Sequence, residues 1–97
     1  MTAPNLTSFQ FRLLALLNRR DDAPKGVTIK QRLEAYLDEE LNHGRLYQNL
    51  DALVEAGYVE KRPRDGRTNA YSLTDAGRET LMTELAWLQG KSTPEAR

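Results

Sequence analysis

"NHGRLYQNLDALVEAGYVEKRPRDGRTNAYSL", residues 42–73, is the stretch that decides the fold. Leu46, Leu50, Leu53 and Val54 recur at helical spacing, which predicts a helix over residues 43–56 with one apolar stripe. Asn42 is placed to cap its start, and Gly57 to end it in a left-handed conformation. Arg45, Gln48 and Ala52 lie opposite the stripe, with Asn49 and Asp51 on the flanks. After the glycine the pattern changes. Val59, Tyr71 and Leu73 have strand character, and Pro63 and Asp65-Gly66 between them are turn formers, so residues 58–73 read as a β-hairpin. Lys61, Arg62, Arg64 and Arg67 crowd around its turn, against only Glu60 and Asp65.

Working outward, Thr28 and Gln31 have capping-box spacing, which predicts that a preceding helix starts at Thr28. Ile29, Leu33, Tyr36 and Leu37 would form its apolar stripe, and Asp38-Glu39-Glu40 its solvated end. A helix, a short turn and a second helix with a polar outer face make a helix-turn-helix. Further upstream, residues 7–18 read as another helix. Phe9, Leu13, Leu16 and Leu17 share one face, and Phe11 and Leu14 project from the other, so this helix expects two partners. Residues 19–26, with Pro24 and Gly26, read as a loop. Downstream, Thr74 can cap a last helix over residues 75–89, with a stripe of Leu81, Met82, Leu85 and Leu88 and with Trp87 on the far side. The fold class is therefore mainly α (α+β): a winged helix-turn-helix with a hairpin wing and a C-terminal dimerisation helix. Residues 1–74 are expected to form the DNA-binding region, residues 75–90 the dimerisation helix of the same compact domain, and residues 91–97 a flexible tail.

Composition narrows the function. Fourteen basic and fourteen acidic residues give zero net charge, which argues against a general nucleic-acid coating protein but leaves room for a local basic surface. There are no cysteines, hence no disulfide framework and no thiolate chemistry. No apolar run approaches membrane-spanning length, and no signal-peptide pattern is present, so a cytoplasmic, nucleoid-associated protein is expected. Phosphate-binding glycine loops, H-E-x-x-H and nucleophile elbows are all absent, so an enzyme is not expected. His43 is the only histidine and has no second ligand in view; neither a metal nor a cofactor is called for.

A helix-turn-helix followed by a hairpin with a basic tip points to double-stranded DNA. Such a helix reads base edges in the major groove while the hairpin touches the backbone or the minor groove. Arginine pairs well with guanine, and asparagine and glutamine pair with adenine, so Arg45, Gln48 and Asn49 are the expected base readers. Gly44 would let the backbone approach a phosphate closely. Asn42, His43 and Gly44, with Arg62, Arg64, Arg67, Thr68 and Asn69 of the wing, are expected along the DNA backbone. For His43 a polar contact near DNA and a plain surface position stand level. Asp51 and Glu55 would repel phosphate, and the sequence leaves their role open.

Several of these residues also form a pattern. Gly44, Leu46-Tyr47, Leu50, Leu53 and Gly57, then Tyr71, Leu73, Thr74, Gly77 and Arg78, resemble the PadR-like winged-helix transcriptional regulators over residues 9–89. The R-T-N-x-Y wording of the wing is most like archaeal members, including repressors of haloarchaeal viruses. The resemblance implies a homodimeric regulator, usually a repressor, with the C-terminal helix swapped across the dimer. It further implies that Tyr47 contacts phosphate, that residues 43–49 face the groove, and that a planar inducer can sit near the dimer interface. Two departures stand out: Lys25-Gly26 replaces a His-Gly pair, and Gln48 and Asp51 stand where many relatives carry a basic residue.

A dimer is also expected from burial. Phe11, Leu14, Leu81, Met82, Leu85, Trp87 and Leu88 lack partners in a minimal winged fold, and burying each large apolar side chain is worth about 1.5–3 kcal/mol. A winged helix used only as a protein-interaction module is the competing function, since a fold does not fix what it binds.

Overall fold

The computed structural model describes residues 5–19 and 22–91. Residues 92–97 of the expected tail lie outside them. Four helices surround one antiparallel hairpin in the order α1 (Ser8–Asn18), α2 (Gly26–Leu37), α3 (His43–Glu55), β1 (Val59–Asp65), β2 (Thr68–Leu73) and α4 (Asp75–Leu88).

The local signals around α3 and α4 work as expected. The Asn42 side chain accepts from the Arg45 N–H at 2.8 Å. Gly57 ends α3 with a φ of 88°, and the Tyr58 N–H returns to the Leu53 carbonyl at 3.0 Å. Thr74 accepts from the Gly77 N–H at 3.0 Å and donates to the Gly57 carbonyl at 2.7 Å, fastening the start of α4 to the end of α3. Gly77 is needed where it stands, because a Cβ there would collide with the Tyr58 carbonyl oxygen.

Helix α2 departs from expectation. It begins at Gly26, with Lys25 as N-cap and no side-chain cap, so the Thr28–Gln31 box does not form. The cause is non-local. Lys25 bridges Ala70 of the wing, and the Tyr71 N–H donates to the Pro24 carbonyl at 3.0 Å, so the chain turns into helix as it leaves this short strand-like pairing. At the other end Asp38 takes a left-handed conformation, and Glu34 accepts from Lys30 and from the Leu41 N–H. Those two bonds hold the Glu34 carboxyl below its ordinary pKa and fix the turn into α3.

The core joins Phe9, Leu13, Leu14 and Leu17 of α1 to Ile29, Leu33, Leu46, Leu50, Leu53, Val59, Tyr71 and Leu81. Two expected dimer residues are therefore corrected. Leu14 is fully enclosed and Leu81 is 3% exposed within the single chain, because α1 runs through the centre and packs against α2, α3, β2 and α4. Phe11 is half-buried against the same core. The last turns of α4 remain open: Met82, Leu85, Trp87 and Leu88 are all exposed.

Candidate nucleic-acid interface

Helix α3 shows its polar face as the apolar spacing requires, but its side chains are not equally free. Gln48 is exposed and has no partner among the described residues. Arg45 lies over the Phe9 ring, its guanidinium carbon 4.4 Å from the centroid, a cation–π contact that ties its direction to α1. The Asn49 amide nitrogen donates to the Arg45 carbonyl at 2.8 Å, which uses part of its hydrogen-bonding capacity. Gly44 is exposed in the first turn, with only the Asn42 side-chain oxygen close to where a Cβ would stand.

The wing is a longer ribbon than the turn formers suggest. The strands pair from Val59↔Leu73 to Asp65↔Thr68, and the register shifts between Pro63 and Asp65. Arg64 sits at that irregularity, which re-aims its side chain. Its guanidinium donates to the Ala23 carbonyl at 2.9 Å, 41 residues back along the chain. Arg64 thus fastens the wing to the segment before α2. Lys61 pairs with Asp51 of α3 at 3.3 Å, and Arg62 with Glu60 at 3.1 Å. Asp51 therefore faces Lys61 at the base of the wing, in an exposed pair worth about 0–1 kcal/mol. Arg67, exposed at the two-residue turn, has no partner among the described residues and is the wing arginine free to meet an anion.

Between the wing and the helix-turn-helix lies a cleft of about 380 Å³. Lys25, Gly26 and Val27 come from the start of α2, His43 and Tyr47 from α3, and Arg67, Thr68, Asn69 and Tyr71 from the wing. The His43 and Tyr47 rings tilt against each other with centroids 4.6 Å apart, which places His43 in the cleft wall rather than on a remote surface. Among the described residues no carboxylate lines it. The cleft thus brings together His43, Tyr47, Arg67, Thr68 and Asn69 from the expected backbone-contacting set, while Arg62 and Arg64 are engaged elsewhere. Lys25 and Tyr71 were not among the expected site residues; the sequence signals were the Lys25-Gly26 departure beside the helix start and the place of Tyr71 in the family pattern.

A trihelical core, a polar recognition helix and a wing with a free arginine define a winged-helix DNA-binding transcription regulator. The chain belongs to the family described as the transcriptional regulator PadR-like family, whose model matches residues 13–83. RosR of Halobacterium salinarum is similar to it at 47% identity and a TM-score of 0.85, over 93% of this chain and 80% of that one. PadR of Bacillus subtilis, solved in complex with operator DNA, matches at 25% identity and a TM-score of 0.69, over 81% of this chain and 48% of that one. A mutant MarR of Escherichia coli, also complexed with operator DNA, matches at 25% identity and a TM-score of 0.67, over 94% and 67% respectively. No match was found among curated proteins.

Proposed function

We propose that the working unit is a homodimeric, non-enzymatic repressor that reads a pseudo-palindromic DNA operator, in the cytoplasm and in association with the nucleoid. The observation that carries this reading is the pairing of two surfaces on one small chain. One is the polar face of α3 beside the Arg67 wing tip. The other is the apolar end of α4, where Trp87 and Leu88 are 67% and 68% exposed. Leaving Met82, Leu85, Trp87 and Leu88 in water forfeits several kcal/mol, roughly 1.5–3 for each side chain fully buried. A second copy covers them and doubles the reading head, and half-sites then fall about one helical turn apart or a multiple of it. Within this reading, Gln48 leads base readout with Arg45 and Asn49 beside it, and Tyr47 contacts phosphate. A planar inducer would stack on Trp87 at the α4 interface.

A gel shift on random duplex at low salt, run beside sedimentation equilibrium, tests it. The expected result is a dimer at micromolar concentration that retards DNA. A monomer that leaves random duplex unshifted would favour the protein-interaction module instead.

A further inference from the structure

A trough of about 800 Å³ runs between the C-terminal halves of α1 and α2. It shares no residue with the cleft beside the wing or with the open end of α4. Its walls follow from helical spacing. Arg12, Ala15, Leu16 and Arg19 stand at i, i+3, i+4 and i+7 along one side of α1 and its C-cap, and Arg32 and Tyr36 stand at i and i+4 on α2. Leu33 is buried and Leu16 half-buried, so the base is apolar, while Tyr36 beside it is 72% exposed.

The rim is positive. Arg12, Arg19 and Arg32 are exposed, and no side chain among the described residues pairs with any of them. No carboxylate of the described residues lines the trough; Glu34, next to it on α2, is occupied by Lys30 and by the Leu41 N–H. Three guanidinium groups gathered in a chain of zero net charge repel one another and set up a local field that an anionic partner relieves.

The occupant must combine negative charge with apolar surface. A phosphodiester supplies the charge but gains nothing from a leucine base. A small organic anion would stay largely in water between walls this exposed. An amphipathic helix meets both demands: it lays an apolar stripe into a groove between two helices, and carboxylates along its edge pair bidentately with arginine. Arg12 and Arg19 are about 10 Å apart along α1, at roughly 1.5 Å per residue, so carboxylates seven residues apart on the incoming helix reach both. The α4 helix of a second copy does not match. Its Glu79 and Glu84 lie about 140° apart around the helix, and Asp75 pairs with Arg78.

We propose that this trough docks an acidic amphipathic helix of a partner protein, with Arg12, Arg19 and Arg32 holding its carboxylates and Leu16, Leu33 and Tyr36 its apolar stripe. Sharing no residue with α3 or the wing, the surface stays available to a chain bound to DNA.

The test titrates the full chain with a synthetic amphipathic peptide of about 18 residues, long enough to form helix on contact, with glutamates seven residues apart beside a leucine stripe. Control peptides carry glutamine or lysine in their place. The Ala15, Leu16, Arg32 and Ala35 amide resonances should shift, and those of Gln48, Arg67 and Leu88 should not. The glutamate peptide should bind at least about tenfold more tightly than the lysine peptide, and less tightly as salt rises. Arg12→Ala and Arg32→Ala, with folding confirmed by thermal melts, should each weaken it roughly two- to fivefold. Arg12→Glu should bind the lysine peptide better than the wild type does. Binding that ignores peptide charge, shifts confined to α3, the wing or α4, or no response at about 1 mM peptide would each overturn the proposal, whatever the variants do. Trough shifts with benzoate but not with the peptide would assign the site to a small organic anion instead. The same shifts on concentrating the protein alone would assign it to a second copy, and either result overturns the partner helix.

Discussion

The phenol of Tyr47 fills the space that a side chain on residue 26 would need: a Cβ on Gly26 would collide with the Tyr47 hydroxyl and ring. The glycine and the tyrosine are therefore one device, bringing a hydroxyl from α3 onto the uncapped start of α2. Gly26→Ala pushes against the Tyr47 hydroxyl and ring, which pack against the core and must be displaced, so the variant should melt lower than wild type, by roughly 4–8 °C for each kcal/mol lost. Both Gly26→Ala and Tyr47→Phe should weaken all duplexes alike by roughly 1.5–3 kcal/mol, about the worth of a hydrogen bond to a charged group. Fluorescence anisotropy on an operator and on unrelated DNA checks this. A loss confined to the operator would assign Tyr47 to base readout.

The wing arginines should separate into two kinds. Arg67→Ala removes a free charge and should reduce the slope of log affinity against log salt by about 1 on any duplex. Arg64→Ala breaks the bond to the Ala23 carbonyl. It should loosen the hairpin by roughly 0.5–1.5 kcal/mol, read as faster amide exchange in the wing. Equal salt-slope losses with unchanged exchange would show that Arg64 meets DNA as Arg67 does.

On α3 the readers should also differ. Gln48→Ala should cost roughly 1–3 kcal/mol on the operator and much less on unrelated DNA. Arg45→Ala should lower stability as well, by about 0.5–1 kcal/mol, because the guanidinium leaves the Phe9 ring. Paired binding and melting measurements distinguish the two. Equal losses for Gln48→Ala on both duplexes would move that residue to the phosphate backbone.

How much of this the sequence could show depends on how local each cause is. The α3 stripe, the Asn42 and Thr74 caps, the Gly57 stop and the hairpin all arise from residues within a few positions of each other, and they were legible. The start of α2 was not, because it is set by Lys25 meeting Ala70 across the fold. Leu14 and Leu81 looked like spare apolar surface because a helical wheel shows faces but not how many neighbours surround α1. The neighbours of Arg45 and Arg64 were hidden for the same reason: Phe9 and Ala23 lie far away in sequence. Tyr71 read as a strand residue and as part of the family pattern, but spacing could not show that it is buried among residues of distant elements.

Alkaline pH should expose Tyr71. Its pKa rises from 10.0 to about 12 in the folded chain, so the unfolded chain releases the proton first. The stabilisation is complete below pH 10 and is lost as the pH climbs from there through 12, by roughly 2–3 kcal/mol. Denaturant unfolding of wild type and Tyr71→Phe across that window should show a loss in the wild type that the variant lacks. Parallel curves would contradict the deep burial of the phenol.

Selection of binding sites from a random duplex pool, performed with the full chain at moderate salt, tests the central claim most directly. A homodimeric winged-helix reader should enrich two inverted half-sites about one helical turn apart or a multiple of it. It should also bind the enriched duplex at least about a thousandfold more tightly than scrambled DNA. A pool that emerges without any enriched sequence, or with single unpaired sites bound by a monomer, would contradict it.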